Sequence, residues 1–355
     1  MPPPDAAVTR LIDQIRSARP RGAVLDIVGG GTKGFFGEPP RGEPLRLQEL
    51  AGISSYEPSE LVVTARAGTP LRELEQALAD KGQCLPFEPP RFRSGGTVGG
   101  MVAAGLAGPS RAAVGSLRDY VLGATLLNGR GEVLTFGGQV MKNVAGYDVS
   151  RMLAGSWGVL GVICEVSLKV MASRVSTATI CFELDERRAL ADLARWAGLP
   201  LPVNASAWHE GELRVRLSGA RAAVRSACEK LGGTLLEAEA AARWWESVRD
   251  HTHPFFGGDR LLRVSVPATA SPLGFPGQQF IEWGGAQRWW RTPAPVAEVR
   301  DAAARAGGHA TVVRGDKSGG AFTPVSEPLM RIHRALKTAF DPERIFNVGR
   351  LYADL

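Results

Sequence analysis

One run of sixteen residues limits what this chain can become: SGGTVGGMVAAGLAGP, positions 94–109. It holds six glycines and three alanines, and no acid, base or thiol. Glycine lowers the propensity for both helix and strand, so the run predicts neither. What it offers is bare main chain, and bare main chain predicts the close approach of something large. Glycine is also enriched overall, at 43 of 355 residues, against a typical ~7%.

Two further stretches share this texture. AVLDIV (23–28) reads as a strand and runs directly into GGGTKGFFG (29–37). Consecutive glycines let successive N–H groups turn toward one point as an anion nest, and no Cβ blocks a pyrophosphate. A Walker A loop requires GxxxxGK[ST], which this is not. A Rossmann fingerprint must open a long helix, which Phe35, Phe36, Gly37, Pro39 and Pro40 forbid. A glycine-rich hairpin loop is the competing reading of this segment alone. The third stretch is GQVMKNVAGYDVSRMLAGSWGVLGVICEVSLKV, 138–170.

The length predicts two domains, or three. The formal charge of +6 is dispersed along the chain, mostly on arginine. No basic block is present, which argues against a nucleic-acid partner, and a diffuse positive field suits a small anionic ligand. Cys84, Cys164, Cys181 and Cys228 form no CxxC pattern, so neither a zinc nor an iron–sulfur site is expected, and no metal. The first residues lack a signal-peptide core and no stretch approaches a membrane span. The expectation is a cytoplasmic protein, or one peripheral to the inner membrane through a complex.

Along the chain, residues 8–19 read as an amphipathic helix and 61–67 as a strand. Thr69 is placed to N-cap a helix ending near Gly82. A meander of strands follows, ending in a long alternating strand within 158–171. From about residue 174, TATICFEL, ERRALADLARWAG, NASAWHE, ELRVRLS, ARAAVRSACEKLG and GTLLEA spell β-α-β-β-α-β, a ferredoxin-like plait. A second plait with one helix shortened or lost is expected after it. The fold class is α+β, with domains at 1–173 and 174–325 and a C-terminal helix and tail, 326–355, returning to the first.

The order and spacing of the three glycine stretches, with RDYVLG, GGQVMKNVAGYDVSR and the closing FDPERIFNVGRLY, resemble the FAD-binding fold of the vanillyl-alcohol-oxidase or para-cresol-methylhydroxylase type. Within it the chain is similar to the FAD-binding subunits of bacterial glycolate oxidases. The resemblance implies an FAD-binding domain followed by a cap domain of plaits. It implies that Gly29, Gly30, Gly31, Thr32, Lys33 and Gly34 form the pyrophosphate loop. Gly95, Gly96, Thr97, Gly99, Gly100 and Gly105 would lie along the diphosphate and ribityl chain. Gly158, Gly161, Val162 and Ile163 would hold the adenine end and the ring, and Asn347 would return from the tail. Covalent members carry a histidine at the first loop. Lys33 stands there here and the first histidine is His209, which implies non-covalent FAD.

Other departures bear on catalysis. Where relatives oxidising 2-hydroxy acids read TIGGNVATNAGG, Met101 and Gly105 replace both asparagines. Where they read GSEGTLG, this chain reads GSWGVLG from Gly155 to Gly161. The HxGDGNxH motif of larger catalytic relatives is absent. Catalytic residues are therefore unassigned; Arg118, Lys142, His253 and Arg314 are the candidates for substrate contact. Two functions follow from the resemblance. One is an oxidoreductase subunit taking part in glycolate oxidation. The other is an electron-relay or structural flavoprotein beside a larger FAD-containing catalytic subunit. In both, electrons leave through an iron–sulfur partner.

Overall fold

The computed structural model describes residues 5–92, 94–138 and 148–355. Helix α1 (Ala6–Ala18) starts where the Asp5 carboxylate accepts the Ala7 N–H at 2.8 Å, and it buries Leu11, Ile15 and Ala18 on one face. Strand β1 (Leu25–Val28) pairs in parallel with β2 (Glu43–Arg46), the two joined through the loop that begins at Gly29. Next come β3 (Ile53–Glu57), β4 (Val62–Arg66), α2 (Leu71–Ala79), β5 (Gln83–Cys84), α3 (Val98–Ala104) and α4 (Arg111–Val114). They are followed by β6 (Val121–Leu127), β7 (Val133–Gly137), α5 (Val149–Met152), β8 (Val162–Lys169) and β9 (Met171–Ala172).

These strands build a five-stranded antiparallel sheet in the order β3-β4-β8-β6-β7, while β5 pairs with β9 apart from it. Its core includes Val63, Ala65, Leu126, Val162, Val166 and Leu168, with Leu74, Leu78, Val98 and Val102 from the helices over it.

Two local expectations change. The glycine-rich run does not stay irregular, because α3 forms inside it. Thr97 caps that helix, with its hydroxyl accepting the Gly100 N–H at 3.3 Å, while Val98, Met101 and Val102 are buried. Tertiary packing outweighs the poor propensity of Gly99 and Gly100. Thr69 does not cap α2: its hydroxyl bonds the Gly52 N–H and carbonyl, both at 2.9 Å.

The next unit comprises β10 (Ser176–Glu183), α6 (Glu186–Ala197), β11 (Val203–His209), β12 (Glu212–Gly219), α7 (Arg221–Leu231) and β13 (Thr234–Leu235). After α8 (Ala238–Arg249) come β14 (Leu261–Ser265), β15 (Gln278–Glu282), β16 (Gln287–Arg291), α9 (Val296–Arg305) and β17 (His309–Arg314). One sheet holds all eight strands, in the order β13-β10-β12-β11-β15-β16-β14-β17. Read by chain position, its first half runs 4-1-3-2 and its second half 2-3-1-4, so two plaits join edge to edge through β11 and β15. In the second plait an irregular segment, 266–277, replaces the first helix.

Helix α10 (Glu327–Phe340) returns the chain to the first unit, where Leu25 and Phe346 form a parallel bridge beside β1. No helix among the described residues is long and apolar enough to cross a membrane. An aromatic cluster joins the two sheets: Phe36 and Trp157 from the first unit meet Phe255, Phe256, Phe280 and Trp289 from the second.

Candidate functional site

The end of β1 opens into a cleft of about 310 Å³, at the lower end of the usual range for bound small molecules, about 300–1,000 Å³. Four segments wall it: the loop from Gly29 to Gly34, the first turns of α3, residues 157–163, and the C-terminal tail through Asn347 and Arg350.

The loop is held at its margins and open at its centre. Gln48 donates to the Gly29 carbonyl at 2.7 Å, and Arg350 donates to the Lys33 carbonyl at 3.1 Å. A Cβ on Gly30 would lie 1.4 Å from the Gly95 carbonyl oxygen, so this crossing tolerates only glycine. The amide N–H groups of Gly29, Gly30, Gly31, Thr32 and Lys33 meet no acceptor among the described residues. Unsatisfied amides at a strand end are suited to an anion.

The opposite wall is fixed by Asn347, which is buried. Its carboxamide oxygen accepts the Ile27 N–H at 2.8 Å and its NH₂ donates to the Trp157 carbonyl at 2.6 Å. Trp157 takes a left-handed φ of 52°, an unusual conformation for a bulky residue that its neighbours enforce. Its N–H donates to the Ala103 carbonyl at 2.8 Å and its ring stacks on Phe36 with centroids 5.3 Å apart.

Charge in the cleft is sparse. Burial pushes the Asp26 carboxyl upward, with Arg350 partly opposing. Burial pushes the Lys33 ammonium down to about 8, with Asp250 opposing. Arg350 is 6% exposed, and its buried Nη1 has no hydrogen-bond partner among the described residues. Free amides and an unpaired guanidinium nitrogen in one elongated cleft fit the diphosphate of FAD. The loop, Lys33 and Arg350 would hold that group, with apolar and backbone surface along the remainder.

Most of the residues named from sequence meet here: Gly29 to Gly34, Thr97, Gly99, Gly100, Gly158, Gly161, Ile163 and Asn347 all line the cleft. Four stand behind its wall. Gly95 packs against Gly30. The Gly96 carbonyl accepts the Leu71 N–H at 2.8 Å. Gly105 ends α3 with φ +62°, and the Val162 side chain is buried in the sheet core. Asn347 lines the cleft while each end of its amide also bonds protein, to Ile27 and to Trp157.

The substrate candidates do not converge. Arg118 is exposed on the turn before β6, and Lys142 lies outside the described residues. His253 sits among His209, Trp244 and Phe280, and its Nδ1 accepts the Phe255 N–H at 3.3 Å. Only Arg314 approaches the loop. It borders a cleft of about 420 Å³ shared by Gly31, Thr32, Gly34, Phe35, Phe92, Asp250, His251 and Thr252. His251 stacks on Phe256 at 4.2 Å, and burial, with Arg314 and Arg263 nearby, pushes its imidazole down to about 3. Asp26 was not singled out from sequence; Trp157 and Arg350 lie inside the quoted stretches GSWGVLG and FDPERIFNVGRLY, and His251 in a His-Thr-His run, but no role was assigned to them.

This fold and cleft define a flavoprotein, and a family model described as "FAD binding domain" matches residues 7–137. The chain is 43% identical over 346 residues, 97% of each protein, to glycolate oxidase subunit GlcE of Escherichia coli (strain K12), and it belongs to that family of FAD-dependent oxidoreductase subunits. Glycolate oxidase subunit GlcD of Bacillus subtilis (strain 168) is 28% identical over 163 residues, 45% of this chain and 33% of its own length. Among solved structures, an alkyldihydroxyacetonephosphate synthase superposes with a TM-score of 0.66 at 15% identity, covering 96% of this chain and 75% of that one, a likeness of fold.

Proposed function

We propose that this chain is the FAD-binding subunit of an assembly that oxidises glycolate, or a similar small 2-hydroxy acid, to the 2-oxo acid. The observation that carries this reading is the colinear identity with GlcE across 97% of both chains. FAD, bound non-covalently in the cleft, supplies the two-electron acceptor. The partners are a larger FAD-containing catalytic subunit and an iron–sulfur subunit that takes the electrons onward. The assembly works in the cytoplasm or against the inner face of the membrane.

Within that assembly the structure favours a relay role. The stacked Phe36 and Trp157 rings, with Phe322 at 6.4 Å from Trp157, fill the space between the cleft and the second sheet. A substrate entering from that side meets these rings first, with the Arg263 and Arg350 guanidiniums lying against them. If this chain does receive an acid of its own, the cleft at Arg314 is the place for it. The Arg314 guanidinium, whose Nη atoms already donate to the Gly258 and Phe256 carbonyls, supplies positive charge there for a carboxylate.

The deciding experiment follows oxidised-flavin absorbance under anaerobic conditions after glycolate is added. The expected result is bleaching of this chain's flavin when the partner subunits are present and none when it is alone. Bleaching of the isolated chain overturns the relay role. Failure to bleach in the whole assembly overturns the glycolate reading.

A further inference from the structure

We propose that Arg350, carried into the cleft by the C-terminal tail, is the cation that binds the diphosphate of the cofactor. The inference rests on the cleft being an FAD site and goes beyond it by naming one side chain and one chemical group.

The tail is fixed before the arginine is reached. The Leu25 N–H donates to the Ile345 carbonyl at 2.6 Å, and the Asn347 N–H donates to the Leu25 carbonyl at 3.0 Å. Beneath it, the buried Lys337 ammonium donates to the Phe346 carbonyl at 2.7 Å, and Asp341 accepts the Phe346 N–H at 2.9 Å. From that anchor the guanidinium reaches back over the loop. Its Nη2 donates to the carbonyls of Lys33 at 3.1 Å and Gly34 at 3.4 Å. Its Cζ sits 5.3 Å from the centre of the Trp157 ring.

One edge of the fork is thus used by the protein and the other is not. Nη1 is buried without an acceptor among the described residues. No carboxylate among those residues forms a salt bridge with Arg350 at contact distance, although Asp26 and Glu38 act on it from further away. An arginine keeps its charge when buried, so the missing partner is an anion. Beside it lie the free amides of the loop from Gly29 to Lys33. An anion that answers both must present several oxygens close together, as a diphosphate does and the flavin ring does not.

The test uses the full chain with its FAD removed and three probes, FAD, ADP and riboflavin. ADP carries the diphosphate without the flavin, and riboflavin the reverse. In Arg350→Gln, affinity for FAD and for ADP should fall by on the order of 10–100-fold, with riboflavin unchanged. The salt dependence of ADP binding should flatten. Should the Gln variant lose its circular-dichroism signature, Arg350→Lys decides. It keeps the charge, so ADP should stay salt-dependent and riboflavin should bind as in the wild type. ADP affinity within twofold of wild type in Arg350→Gln, or salt-independent ADP binding in Arg350→Lys, overturns the proposal. A wild-type chain that binds neither FAD nor ADP instead overturns the cofactor reading beneath it.

Discussion

A methyl group placed on Gly30 would collide with the Gly95 carbonyl, whereas one on Gly34 would meet only the Gly31 carbonyl oxygen, at 4.0 Å. Both glycines line the cleft, yet for different physical reasons. Gly30 is bare so that two segments of the protein can cross. Gly34 is bare beside open space and has no left-handed φ to demand it. Two substitutions separate these roles. Gly30→Ala should cost about 1–3 kcal/mol or more, since backbone must move, and should lose FAD with the fold. Gly34→Ala should leave the melting temperature almost unchanged, within about 0.5 kcal/mol, while FAD affinity falls roughly tenfold, a loss of about 1.4 kcal/mol. Thermal melts with and without FAD, together with flavin titration, read both outcomes. If Gly34→Ala binds FAD as the wild type does, the open face of the loop does not serve the cofactor.

At the scale of elements, the wall opposite the loop depends on α10. Lys337 is fully buried and donates to the carbonyls of Val159 and Phe346 and to the Asp341 carboxylate, each within 2.8 Å. Burial pushes its ammonium downward, and Asp341 offsets part of that. Lys337→Met should cost about 3–5 kcal/mol, because it leaves a buried carboxylate without its cation. Adding Asp341→Asn to that variant should recover part of the loss by removing the stranded charge. Denaturant melts of the three proteins check this ordering, and equal stability of the single variant and wild type would contradict it. None of this cross-linking is visible locally in the sequence. The plaits were legible because their strands alternate and their helices are amphipathic, as in Leu213, Val215 and Leu217 of β12, which are all buried. The glycine loop was legible from its composition. Strand β2 was not, since EPLR buries only Leu45 and its pairing is set by β1. Nor was the position of Arg350 against the loop, which follows from the bridge between Leu25 and Phe346. Such long-range pairings leave no period in the chain to read.

For the whole molecule, the question is whether the two sheets form one cooperative body. Each has its own apolar core, around Val63 and Val166 in the first unit and around Leu213 and Val264 in the second. They are joined by the aromatic cluster, to which the first unit contributes Phe36 and Trp157, and by polar ties such as Arg216 to Glu88 at 2.6 Å and Trp283 Nε1 donating to the Gly108 carbonyl at 3.0 Å. Phe36 is 2% exposed and lies between the Trp157 ring and the Arg263 guanidinium, 6.0 Å from its centre. Its removal therefore hollows the joint while leaving both cores intact. Phe36→Ala should cost about 3–5 kcal/mol by transfer and cavity terms. Because the loss falls on the coupling between units, the single heat-capacity peak expected of the wild type should split in two, with FAD raising only the peak of the cleft-bearing unit. The same variant opens the partition between the cleft and the second sheet, so its isolated flavin should become more accessible to a soluble quencher. A variant that melts in one peak at a lower temperature would mean that the polar ties between the units, such as Arg216 to Glu88 and Trp283 to Gly108, hold them together without the aromatic joint.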